Sequence, residues 1–445
     1  MRFMILAAAL LAVVPASVLA QEVRPTLGAD LPRYEAPAEA PEPPGSRGTL
    51  TLQQALALSL LHNPDLAAHS WELRAREAEA LQAGAFANPM LGAELENFAG
   101  AGQASGFDNA EFTLQLSQFI ELGGKRGERR SLAERTTDLA WRTYDIERVR
   151  VFSETRGAFI AVLAAQDQLE LAEELTRVAA EVLESITRRV RAGGTSPVEA
   201  SRARVALQAS GIEQIEHQRA LDVARATLAS QWGAVSVAQA EGSLGSISEL
   251  PTVELLLAGV DQSPEVMAWA AEVLRRDAEL ELAGSQRVPD VEFAGGVRHF
   301  AASGDLGVVA GVSISLPVFN RYGGQIDAAS ARRHQAERSR QSTANQVRLA
   351  LQRSVALAEA RAIEAVSLRD TVLPEAAKAF ELASAALRSG RMRLTDVLDT
   401  QRTLFELRSQ FIDALVAHHL AVGEIERLTG QPITDISPTS GSLQR

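Results

Sequence analysis

Two runs of alternating apolar and polar residues lie between long stretches of helical periodicity. In the first, Phe112, Leu114 and Leu116 alternate with Thr113, Gln115 and Ser117. In the second, Val308, Ala310, Val312, Ile314 and Leu316 alternate with Val309, Gly311, Ser313 and Ser315. A period of two, with one apolar face and one small or polar face, predicts strands. A less regular run precedes each: Leu91, Ala93 and Leu95 against Glu94 and Glu96, and Val291 and Phe293 against Glu292 and Ala294. Segments rich in Gly, Ala and Ser, residues 99–106 and 301–307, join each pair into a hairpin.

A helix is expected before each hairpin, over 51–84 and 264–284, closed by Gly and followed by Pro89 or Pro289. A far longer helix is expected after each. Residues 128–192 contain no Pro and only Gly157, and 325–389 contain no Gly and only Pro374. About 65 residues at a rise of 1.5 Å span roughly 100 Å. Each long helix breaks at a Gly-bearing tip, 191–196 or 389–393, and a helix of about 35 residues returns. On the second returning helix Leu404, Leu407, Phe411, Leu415, His418, Val422 and Ile425 step by three and four, which makes a coiled-coil seam. Leu171, Leu175, Val178, Val182 and Ile186 form a similar stripe on the first long helix.

The elements come in the same order twice because the sequence repeats. At a spacing of 200, Asn63-Pro64-Asp65-Leu66 matches Ser263-Pro264-Glu265-Val266, Arg76 matches Arg276, Pro89 matches Pro289, and Gly123-Gly124 matches Gly323-Gly324. The spacing then slips to 197, pairing Gly193 with Gly390, Glu199 with Asp396 and Gly233 with Gly430. Ordered matches through Pro and Gly indicate two tandem copies, 49–240 and 250–431, each a helix, a hairpin, a long helix and a returning helix. Residues 1–20 read as a signal peptide with Arg2 before an apolar core and Ala20 at the cleavage site. Residues 21–48 are a Pro-rich extended leader and 432–445 a flexible tail.

Composition narrows the function classes. A formal charge of −12 argues against nucleic-acid binding, and the absence of Cys excludes disulfides, thiolate metal sites, a Cys nucleophile and a lipidated Cys anchor. Past the signal peptide no stretch is apolar for 18 residues, so a membrane role has to come through a β-barrel. Four strands with open edges cannot stand alone in hydrocarbon, and three chains would supply twelve. No phosphate loop, nucleophile elbow or zinc-helix motif occurs, so the chain does not read as an enzyme, and no cofactor is expected. His418 and His419 are adjacent and point to different faces; His62 and His69, seven apart on one face, have no third ligand.

Gly390-Arg391-Met392-Arg393-Leu394-Thr395-Asp396-Val397-Leu398-Asp399-Thr400-Gln401 resembles the tip and returning-helix motif of the TolC family of outer-membrane efflux proteins. Ser117-Gln118-Phe119-Ile120-Glu121-Leu122-Gly123-Gly124-Lys125-Arg126 resembles the strand-to-helix junction of its CzcC-like branch, which serves heavy-metal efflux. The resemblance spans 49–431. It implies a mainly α fold, with long antiparallel helical hairpins in tandem repeat and four strands per chain contributing to a trimeric twelve-stranded barrel in the outer membrane. A helical tunnel would extend into the periplasm. The implied partners are two further copies of the chain, outer-membrane lipid, a periplasmic adaptor and an inner-membrane pump of the resistance-nodulation-division type.

By the same resemblance, Asp396 and Asp399 would form the acidic ring of the periplasmic entrance. Their spacing of three places both on one helical face, although acids near a helix start are also favoured by its dipole. Gly193, Gly194, Gly390, Arg391, Arg393, Leu394 and Thr395 are expected to make the tip turns and the adaptor contact. Phe112, Leu114, Leu116, Val312, Ile314 and Leu316 are expected to face lipid, and Gly123, Gly124, Gly323 and Gly324 to mark the strand-to-helix junctions. The family's Tyr and Arg at the closed entrance correspond to Leu387 and Met392, so the same gate is not expected here. The competing readings are a multidrug or type I secretion channel and, in a different class, a soluble periplasmic coiled-coil scaffold.

Overall fold

In the computed structural model the described residues are 48–102, 106–247 and 249–433, all within the unit Pro41–Arg445. The expected signal peptide, nearly all of the leader and residues 434–445 lie outside them. Strand β1 (Thr49–Leu50) leads into α1 (Leu52–His62), whose N-terminus is closed by a capping box between Thr51 and Gln54. The single helix expected over 51–84 is in fact two. Asn63 leaves the helical conformation, ends α1 and caps α2 (Pro64–Ala83) through its side chain on the Leu66 amide. Pro64 at N1 fixes the break, since its missing amide costs nothing there.

Strands β2 (Met90–Glu96) and β3 (Glu111–Ile120) follow, then α3 (Lys125–Arg191) of 67 residues and α4 (Pro197–Ser230) of 34. Strand β4 (Gln239–Ala240) pairs in parallel with β1, which joins the start of the first copy to its end. A short α5 (Val253–Ala258) and a 3₁₀ turn at Val260–Gln262 precede α6 (Pro264–Ser285), β5 (Val291–Phe300) and β6 (Leu306–Ile314). The second long helix is α7 (Gly323–Ser367), a π-helical turn (Leu368–Val372) and α8 (Leu373–Arg388), and α9 (Leu394–Thr429) returns. The π turn, absent from the sequence reading, sits directly ahead of Pro374. Proline cannot donate to the carbonyl four residues back and its ring crowds that carbonyl; a wider turn relieves both.

The sheet order is β2-β3-β5-β6, antiparallel throughout. Thus the two hairpins form one sheet, with β2 and β6 at its edges. Three apolar clusters are spaced along the helices. One surrounds Phe159, Leu228 and Trp232; another surrounds Val266, Leu351 and Ile425; the third lies at the tip and contains Ile186, Ala203, Ala383, Leu387, Leu394 and Val397. The α9 seam is packed as expected at Leu404, Leu415, His418, Val422 and Ile425, with Leu407 and Phe411 half-buried. On α3 the buried line is Ala172, Ala179 and Ile186, beside the expected stripe, of which Leu171, Leu175, Val178 and Val182 are only half-buried. Small residues seven apart let the neighbouring helix approach closely.

Repeat matches at a spacing of 197 hold in backbone geometry. Gly193 and Gly390 both have left-handed φ, 72° and 75°, and so do Gly233 and Gly430. At the spacing of 200 the junction glycines diverge. Gly123 and Gly124 are left-handed, whereas Gly323 and Gly324 are the first residues of α7 and Tyr322 takes the left-handed position. A Cβ on Gly123 would lie 2.6 Å from Cβ of Val288, so this corner requires glycine twice over.

Candidate functional site

Alternation divides the sheet into two chemically distinct faces. Phe112, Leu114 and Leu116 of β3 share one face with Leu91 and Leu95 of β2, Phe293 and Val297 of β5, and Leu306, Val308, Val312 and Ile314 of β6. All are exposed, from 38% at Leu114 to 88% at Val308. Leu316 departs from expectation: β6 ends at Ile314, and Leu316 is exposed beyond it, on the approach to Pro317. An apolar face of this extent on a sheet with two unpaired edges is unstable in water and incomplete in lipid.

The opposite face carries Glu94, Glu96, Glu111 and Glu292 against a single guanidinium, Arg298. Arg298 ties three strands together. It donates to Thr113 Oγ1 at 2.8 Å, meets Glu111 Oε2 at 2.8 Å and meets Glu96 Oε2 at 3.1 Å. Sequence reasoning missed this residue because only the β3–β5 register brings it to Thr113.

At the foot of the sheet, Asp290 accepts from the Leu122 amide at 3.0 Å and pairs with buried Lys125 at 2.7 Å. Arg129 grips Glu121 with two bonds, 2.5 and 2.9 Å. The corner from β3 into α3 is therefore pinned to the turn before β5. Gly123 and Gly124 act within that corner, whereas Gly323 and Gly324 start the other helix.

The far end of the helices closes in two equivalent turns. Gly194 N donates to Arg189 O at 2.8 Å and Arg391 N to Ala386 O at 2.9 Å. Each is the six-to-one bond of a Schellman motif, with the left-handed glycine at C′. The two turns are linked: Arg189 Nη1 donates to the Leu387 carbonyl at 2.7 Å, satisfying a C-terminal acceptor of α8. Arg391, Arg393 and Thr395 are exposed, but Leu394 is 2% exposed and packs in the tip cluster. The Leu394 side chain is therefore packed in the core of the tip and not presented at its surface, contrary to expectation. It extends the α9 seam, since Leu394, Val397, Gln401 and Leu404 step by three and four and are all buried.

Asp396 and Asp399 are accessible on α9, each with an arginine three residues away. Arg393 reaches Asp396 at 3.2 Å, and Arg402 reaches Asp399 at 3.3 Å. The hydrogen bonds from Arg393 hold the Asp396 carboxyl below the usual carboxylate range.

No group of three or more His, Asp or Glu that could hold a metal ion occurs among the described residues. His418 is buried, with Nδ1 3.0 Å from the Ala358 carbonyl, and His419 Nε2 lies 2.9 Å from the Leu244 carbonyl. His62 and His69 do not share a helix face, because the Asn63 break puts one on α1 and the other on α2. Among the described residues no helix is long and apolar enough to cross a membrane.

Comparison with known proteins agrees with this arrangement. A family described as outer membrane efflux protein matches residues 55–234 and 259–431. The cobalt-zinc-cadmium resistance protein CzcC of Cupriavidus metallidurans is 34% identical over 395 residues, covering 87% of this chain and 92% of CzcC. The nickel and cobalt resistance protein CnrC of the same organism is 30% identical over 299 residues, covering 66% and 68%. Among solved structures, CusC superposes with a TM-score of 0.74 at 18% identity, covering 85% of this chain and 92% of that one.

Proposed function

The chain belongs to the outer membrane efflux protein family, and from that membership and its one-sided sheet we propose that it is the outer-membrane conduit of a tripartite metal-efflux system. It is a passive channel and not an enzyme, seated in the outer membrane with its helices in the periplasm. Three copies would complete the sheet, each pairing its β2 edge with the β6 edge of the next. Closure pairs the edge amides and turns the face of Phe112, Leu114, Leu116, Val312 and Ile314 outward to lipid and the face of Glu94, Glu96, Glu111 and Glu292 inward to water, although Met90, Phe119, Phe300 and Val309 share that inner face.

The cargo is heavy-metal cations. CzcC and CnrC are named for metal resistance, and the single structural observation in favour is the inner sheet face, which carries four carboxylates and one guanidinium, with Glu96 and Glu111 paired to it. A water-filled lumen of that charge favours cations. At the other end, Asp396 and Asp399 of three chains would ring the entrance with six carboxylates. A weak, distributed field suits a conduit, since tight sites would slow release. An inner-membrane pump supplies the energy and a periplasmic adaptor meets the tip. Phe112, Leu114, Leu116, Val312 and Ile314 would anchor the barrel.

Deletion of the gene tests the reading. Tolerance to cobalt, zinc and cadmium is expected to fall while tolerance to organic toxicants is unchanged. The reverse pattern would identify a multidrug channel instead, and recovery of the protein in the soluble periplasmic fraction without detergent would overturn the membrane placement.

A further inference from the structure

Gln401 is a polar residue on the buried line of α9. It is 3% exposed, between Val397 and Leu404 on that line, and its Oε1 has no hydrogen-bond partner among the described residues. Burying a carbonyl without a donor costs on the order of 1–3 kcal/mol. A polar side chain in a helical seam ordinarily fixes register by pairing across it. Gln168 of α3 and Ser409 of α9 do so, exchanging bonds of 3.0 and 3.3 Å. The Gln401 carbonyl does not.

Instead Gln401 lines a groove of about 410 Å³. Its floor is α3, on which α4 and α9 both pack, and those two helices make its walls. Leu171, Leu175 and Ala179 of α3, Ala209 of α4, and Leu398 and Phe405 of α9 give it an apolar bed. Most of its polar groups are occupied within the chain. Ser210 Oγ donates to the Leu207 carbonyl at 2.9 Å, Gln168 and Ser409 serve each other, and Glu406 meets Arg402 at 3.5 Å. Glu213 is exposed at the rim and forms no ion pair among the described residues. The groove therefore offers an apolar bed, a buried acceptor without a donor and a carboxylate without a cation.

That set of features selects its occupant. The volume is that of a small molecule, and the walls belong to one chain, so the site needs no second copy. A divalent ion is a poor match, because no group of three or more His, Asp or Glu that could hold one occurs among the described residues. Outer-membrane lipid is remote, since α3 rises roughly 65 Å from Lys125 to Gln168.

We propose that this groove binds a small amphipathic amine, whose apolar body lies on Leu171, Leu175 and Phe405 and whose ammonium donates an N–H to Gln401 Oε1 and is balanced by Glu213. Such a ligand bridges α4 and α9 across α3. The site goes beyond the conduit reading and does not depend on it.

The test titrates the full-length assembly in nanodiscs with 1-naphthylmethylamine and with its N-trimethylated analogue, which keeps the charge but has no N–H. Empty nanodiscs give the lipid background. The amine should bind at least about tenfold more tightly than the analogue, as expected for a hydrogen bond with a charged donor. Q401L should abolish that preference while matching or exceeding the parent's thermal stability, because it removes a buried carbonyl that lacks a donor. E213Q, at the exposed rim, should weaken both probes by about two- to fivefold. Equal binding of the two probes by the parent, no binding above the lipid background, an unchanged preference in Q401L or unchanged affinities in E213Q would each overturn the proposal. Zinc that displaces the amine from the parent but not from H217Q would also overturn it, by assigning the groove to a metal ion.

Discussion

Arg189 of α3 donates to the Leu387 carbonyl of α8 at 2.7 Å, so the last turn of one helical hairpin is closed by a side chain of the other. Gly390, two residues beyond the last turn's Arg388, is left-handed with φ 75°, and the same guanidinium lies beside it. Replacing Arg189 with Ala leaves the Leu387 carbonyl with only the Gly390 amide at 3.0 Å and removes the bond that ties the two turns together. Hydrogen bonds to charged groups are worth about 1.5–3 kcal/mol. Amide exchange at 387–391 is expected to accelerate by about tenfold or more, with exchange near Trp232 unchanged. Equal protection in both proteins would show that the turns are held by their own Schellman bonds.

Neighbouring positions of β6 should respond oppositely to the same substitution. Val312 is on the apolar face and 63% exposed, and Ser313 is on the polar face opposite Glu292. A lysine facing lipid near the bilayer midplane costs about 2–4 kcal/mol, and a lumenal one little. V312K should therefore fail to accumulate as heat-stable oligomer in outer-membrane fractions, whereas S313K should assemble normally. Equal assembly would contradict the assignment of the two faces.

The strand faces and both tips were legible in the sequence because each depends on local chemistry. Period-two alternation sets the faces, and a left-handed glycine sets each turn. Three features escaped for physical reasons. Arg298 works through a register between strands some 185 residues apart in sequence, which no local pattern encodes. The π turn is a response to Pro374 whose form depends on the packing of a helix that continues through it. Leu394 was legible and misassigned: the three-and-four stepping that marks the seam from Leu404 runs back through Gln401 and Val397 to it, a stripe that outranks its place in a tip motif.

Charge substitutions at the two ends of the path should shift ion preference in opposite directions. Removing Asp396 and Asp399 together with Ala deletes carboxylates at the entrance, and reversal potentials should move toward anions. R298Q deletes the one guanidinium of the inner sheet face and should move them toward cations. Because Arg393 keeps Asp396 ionised below the usual carboxylate range, the entrance contribution should persist as pH falls to that range. Reversal potentials indifferent to both variants would remove these residues from the path.

His419 sets a pH dependence of stability. Burial lowers its pKa below the ordinary histidine value, with the charges of His418 and Arg156 acting in the same direction and the bond to Leu244 opposing. The unfolded chain binds a proton that the folded chain resists, so this stability is complete above the ordinary value of about 6.5 and is lost as pH falls below it toward the folded value. Thermal unfolding midpoints should decline from pH 8 to pH 5 more steeply for the parent than for H419Q. Parallel declines would assign the acid sensitivity elsewhere.

Single-channel recording on the purified protein in a planar bilayer tests the central claim most directly. Three chains closing β2 on β6 around a carboxylate-lined lumen predict a stable conductance, with a reversal potential in a KCl gradient displaced toward the potassium equilibrium potential. Absence of any conductance from protein verified as oligomeric, or a reversal potential displaced toward chloride, would contradict it.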